Sequence, residues 1–130
     1  MLLFGHRFIE SEKFYHISNI RGIHNTPPSS TLFLDFSEEN LDIIKHFNEN
    51  DLHFVLRVEN ITELIYASAL NADYIAVDKE LAKSAQDIAE SYLFDAKILV
   101  MTNDESDIEE FALLGVDGLI CANAIIKINS

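Results

Sequence analysis

The sequence predicts an α/β fold: a five-stranded, mainly parallel sheet with helices on both faces, in three layers. Three observations carry this. Short apolar runs begin near residues 32, 53, 74, 97 and 118, spaced 21 to 23 residues apart, about the least chain a right-handed strand–helix–strand unit can use. Segments with helical apolar spacing lie between them. The runs are almost unbroken in apolar residues, as strands buried on both faces are.

The first thirty residues stand outside this rhythm. Residues 1–4 and 14–20 read as an added edge strand or hairpin packed on the sheet. Residues 21–30 read as a loop, because Pro27 and Pro28 cannot join a sheet or helix interior. The chain reads as one domain over 1–130, with an N-terminal extension (1–30) and βα repeats (31–130). In the first repeat, strand 32–36 is followed by Ser37 as a helix cap, by Glu38 and Glu39 where they meet the positive end of the dipole, and by an apolar stripe of Leu41, Ile43, Ile44 and Phe47. Strand 53–58 leads to Asn60 or Thr62 as cap and to Ile61, Leu64, Ile65, Ala69 and Leu70. Strand 74–77 precedes Leu81, Ala85, Ile88, Ala89 and Tyr92. Strand 97–102 precedes an acidic segment, 104–107, and then Ile108, Phe111, Ala112 and Leu114. The last strand is 118–121. Residues 53–78 align without a gap onto 97–122, with Leu70/Leu114 and Asp73/Asp117 identical and with Asn71 and Gly115 where a left-handed residue ends a helix. Any two such units resemble each other this far, so duplication is not the reading adopted.

Nine basic residues stand against 22 acidic ones, a net charge of −13. That field repels polyanions and anionic lipid surfaces, so neither nucleic acid nor membrane is an expected partner. Acidity serves solubility first. A basic partner or a divalent cation is the more specific use. Cys121, the one cysteine, lies in the apolar run 118–122, which excludes an internal disulfide and predicts a small buried side chain. No run has the length of a signal-peptide core or a membrane span, so the cytoplasm is the expected compartment.

In parallel α/β sheets, ligands bind at the carboxyl ends of the strands. Those positions hold Asp35, Arg57, Glu59, Asp78, Lys79, Thr102 and Asn103. Arg57, Lys79, Thr102 and Asn103 are the groups suited to a phosphorylated or anionic metabolite. Asp35 and Asp78 could hold Mg²⁺ between carboxylate oxygens. No glycine-rich phosphate loop, metal-ligand spacing or nucleophile motif occurs, and no cofactor is predicted. His6, His16 and His24 are spaced ten and eight residues apart, which fits no local ligand motif.

With Asp35, Asp78 and Thr102 ending the first, third and fourth strands, and with residues 108–120 running from a helix into the fifth, the chain resembles the receiver domains of response regulators. The resemblance spans residues 31–122 and implies a flavodoxin-like sheet. Phe36 stands in place of the family's second acidic residue and Ala122 in place of its lysine. The likeness therefore implies a degenerate receiver that does not relay phosphate. Residues 97–103 with 115–120, and the His6–Arg7 pair, also resemble the glycerophosphodiester phosphodiesterases. The glycine after that pair is Phe8 here, and the family's Pro-Glu-Asn-Thr signature is absent. This second likeness implies only an alternative architecture, half of a (βα)8 barrel, capable of dimerising. Together these readings favour a non-catalytic regulatory or protein-interaction module, acting through a protein partner or as a homodimer. The alternative is a small enzyme or sensor that binds an anionic metabolite at the strand ends.

Overall fold

The computed structural model describes residues 1–128. Eight strands form one sheet: β1 (Leu2–Phe4), β2 (Phe14–His16), β3 (Thr31–Asp35), β4 (Phe54–Arg57), β5 (Tyr74–Val77), β6 (Lys97–Met101), β7 (Gly118–Ile120) and β8 (Ile125–Lys127). Four helices, α1 (Leu41–Glu49), α2 (Ile61–Ala69), α3 (Ala82–Ser91) and α4 (Asp107–Leu114), follow β3, β4, β5 and β6. The strand order is β1-β7-β6-β5-β4-β3-β2-β8, and every recorded pairing is parallel.

This corrects the expected five-stranded, three-layer, flavodoxin-like sheet. There are eight strands, β2 to β7 are neighbours in sequence order, and the sheet curls, so the half-barrel alternative fits better. Phe4 of β1, at one edge, meets Phe14 of β2, next to the other edge, with ring centroids 4.9 Å apart. Tyr74 of the central strand β5 joins both rings at 5.6 and 5.7 Å. A flat sheet would hold these strands far apart, since neighbouring strands are about 4.8 Å apart.

The strands divide their side chains between two cores. Leu32, Leu34, Phe54, Leu56, Ile75, Val77, Ile98 and Val100 face outward against Ile44, Phe47, Leu64, Ala85 and Phe111 of the helices. Phe4, Phe14, Phe33, Val55, Ala76, Leu99 and Ile120 face inward against one another. Both faces are therefore buried, but only one of them by helices. An unbroken apolar run records burial on two sides and is silent on whether helices or the sheet's own opposite wall does the covering.

Residues 1–30 supply two strands of the sheet itself. β1 pairs with β7 and β2 with β3 and β8, so they form no hairpin with each other. Gly118 permits the first pairing: a Cβ there would sit 2.8 Å from both Cβ and O of Leu2. The expected caps hold. Ser37 accepts from the Glu39 N–H and Asn60 from the Glu63 N–H, while Asn71 (φ 70°) and Gly115 (φ 80°) take the left-handed conformation. The identical aspartates of the two similar units have one job. Asp73 accepts from the Phe54 N–H and Asp117 from the Ile98 N–H, both at 2.8 Å, each clamping the start of a strand to the start of its neighbour.

Helix stripes are narrower than expected. Leu41, Ile65, Tyr92 and Leu114 lie exposed, because short helices on a convex sheet touch it along a seam and bury only a few residues each. In α2 the buried ones are Leu64 and Ala67. Truncating the inner core should be costly. Phe14 is fully buried, and Phe14→Ala should lower the unfolding free energy by about 3–5 kcal/mol in urea titrations.

Candidate functional site at the strand ends

Parallel strands carry their carboxyl ends to one rim of the curled sheet, and polar contacts link those ends in turn. His16 Nε2 at the end of β2 lies 3.3 Å from Asp35 Oδ2 at the end of β3. Arg57, ending β4, reaches three carboxylates: Asp35 at 3.9 Å, Glu59 at 3.9 Å and Asp78, just past β5, at 3.4 Å. The structure thus gathers Asp35, Arg57, Glu59 and Asp78 as one cluster. Asp35 and Asp78, the pair suited to Mg²⁺, both face the Arg57 guanidinium. Among the described residues, no group of three or more His, Cys, Asp and Glu side chains is placed to hold a metal ion.

Lys79 and Thr102 meet at a residue the strand-end reading did not include. Asp107 opens α4, and its Oδ2 takes the Lys79 ammonium at 2.7 Å and the hydrogen bond donated by the Thr102 hydroxyl at 2.6 Å. These bonds, Lys79 foremost, hold the Asp107 carboxyl below the usual aspartate range, and the same pairing raises Lys79. Thr102 also accepts from the Asp104 N–H. Asp104 in turn accepts from the hydroxyl and N–H of Ser106, which lowers its own pKa. Asn103 stands apart from both clusters, its side-chain oxygen accepting from the Ala122 N–H beyond β7 at 2.8 Å.

A third group joins β1 to the segment after β6. Arg7 Nε donates to Glu105 Oε1 at 2.8 Å, and His6 Nε2 lies 3.0 Å from the same oxygen. The Phe8 N–H donates to His6 Nδ1, leaving Nε2 to carry the proton toward Glu105. The Arg7 guanidinium lies over the Phe8 ring, 4.1 Å from its centroid. Hydrogen bonding to Arg7 lowers the Glu105 pKa. The Cys121 thiol, in the cleft beside His6 and Glu105, is raised by burial and by the Glu105 charge. This is the setting of an unreactive thiol.

Sequence reasoning missed His16, Asp107, Glu105 and the joining of His6 to Glu105. In the sequence Asp107 is the last residue of the acidic segment 104–107, and only its place shortly after the Thr102 strand end hints at more. No helix among the described residues is long and apolar enough to cross a membrane. The chain matches no protein-family model, and no curated protein matches it.

Asp107 gives the rim a measurable pH signature. Because its folded pKa lies below the ordinary 3.8, its contribution is complete above the unfolded value and fades as pH falls through the folded one. Lys79, raised above 10.5, contributes below that value and loses its contribution as pH rises through its folded pKa. Asp107→Asn should therefore lower the urea midpoint at neutral pH, and variant and parent should converge as pH falls below 3.8 and through the lowered folded pKa.

Proposed function

We propose that this protein is a non-catalytic protein-interaction module whose partner is basic. The observation that carries this reading is the state of the strand-end cations. Arg57, Lys79 and Arg7 are each already engaged by the chain's own carboxylates. The carboxylates of the rim outnumber these cations, so the surface presented there is acidic, in keeping with the net charge of −13. Such a field attracts basic surfaces and opposes both anions and a second copy of the same chain. Mg²⁺ at Asp35 and Asp78 would first have to displace the Arg57 guanidinium.

One observation favours a second reading, an anion sensor. The Arg57 contacts, at 3.4–3.9 Å, are looser than the 2.7 Å contact of Lys79 with Asp107, so Arg57 is the cation most easily turned toward a phosphate. Thermal-shift measurements against phosphorylated metabolites and Mg²⁺ separate the two. The interaction module predicts an unchanged Tm throughout, together with a stoichiometric complex with a basic protein, isolated from native cells, that survives Arg57→Ala. A rise of several degrees with one metabolite, abolished by Arg57→Ala, would establish the sensor instead.

A further inference from the structure

We infer that the groove between the segment after β3 and helix α2 docks a basic amphipathic segment of a partner protein. This inference rests on the interaction-module reading and gives it a surface. The sequence assigns Ile65, Ala69 and Leu70 of the second repeat to an inward stripe, yet α2 buries only Leu64 and Ala67. Ile65 is 41% exposed and Tyr66 51%, so apolar residues occupy a helix face that is ordinarily polar. Tyr66 stacks obliquely on Phe36, with centroids 5.9 Å apart. With Leu41 (42% exposed), Ala69 and Leu70 these rings line an open groove, and the one charged group in its wall is Glu38.

The charges around the groove decide the occupant. Glu39 and Asp42 flank Glu38 along the same segment and are exposed. The nearest lysine on α1, Lys45, is turned to Glu49, 3.8 Å away. Two copies docking groove to groove about a two-fold axis would set Glu38, Glu39 and Asp42 against themselves, which disfavours a homodimer. A lysine or arginine from a partner would instead lie across the Tyr66 and Phe36 rings with its charge toward Glu38, while the apolar residues beside it cover Leu41, Ala69 and Leu70. Helix-in-groove recognition has this division of labour.

The test uses the full chain and a fluorescein-labelled amphipathic helical peptide of lysine and leucine as probe. Amide chemical-shift changes should concentrate at residues 36–42 and 61–70. Tyr66→Ser and Glu38→Gln should each weaken binding at least tenfold, while Asp95→Asn, which removes one negative charge elsewhere, should leave it within twofold. Glu38 is exposed, so Glu38→Gln remains informative if Tyr66→Ser fails to fold. Equal weakening by Glu38→Gln and Asp95→Asn would overturn the groove in favour of diffuse charge attraction. So would shift changes centred elsewhere, or sedimentation showing a dimer that Tyr66→Ser dissolves. A peptide bound tightly at another surface would sink the groove and leave the module standing. Stabilisation by a metabolite through Arg57 would sink the module itself.

Discussion

The curl of the sheet depends on what fills its inner face. Phe4, Phe14 and Tyr74 come from strands at one edge, near the other edge and in the middle, and their rings meet edge to face. Three large rings in mutual contact, with small Ala76 and Val55 beside them, fit a concave wall and would leave a flat one uncovered. Partial burial of the Tyr74 phenol, with the charges of Glu12 and Asp73, raises its pKa. Once the curl is fixed, the helices lie on the convex side and the carboxyl ends of the strands converge on one rim.

The rim contacts differ in weight. Arg57 and its three carboxylates are partly exposed and spaced at 3.4–3.9 Å, so they organise the surface more than they stabilise the fold. The Thr102–Asp107–Lys79 group is tighter, and its hydroxyl is buried. It anchors the start of α4 to the end of β6 and to the turn after β5, which keeps two adjacent repeats in step.

Much of the local structure was legible. Period and composition located β3 to β7 and the four helices, because each strand and each amphipathic stripe is encoded within its own repeat. Ser37, Asn60, Asn71 and Gly115 mark helix ends through chemistry that needs only near neighbours. The likeness of Asp73 to Asp117 pointed at a shared role that geometry then supplied. β8 was missed, and β1 and β2 were located without their pairings, since their partners are distant in the chain. The curl was illegible for a different reason: an inward-facing Phe33 and an outward-facing Leu34 look alike in a run that is apolar on both sides. At the rim, Asp35, Arg57, Asp78 and Thr102 could be assigned to one end because parallel strands force it. His16, Glu105 and Asp107 could not, because their partners follow from the curl and from loop paths.

The pairing of Leu2 with Gly118 has a consequence for how the chain is made. As the polypeptide leaves the ribosome, β2 to β7 can zip onto one another in order of synthesis, each finding a neighbour already present. β1 precedes all of them, yet its ladder partner β7 follows β2 to β6 in the chain. Leu2, Leu3 and Phe4 must wait as a short greasy tether until β7 has been made, and the interior that Phe4 closes stays open to water until then. Nascent chains stalled before Gly118 would be natural clients for chaperones that bind exposed apolar segments.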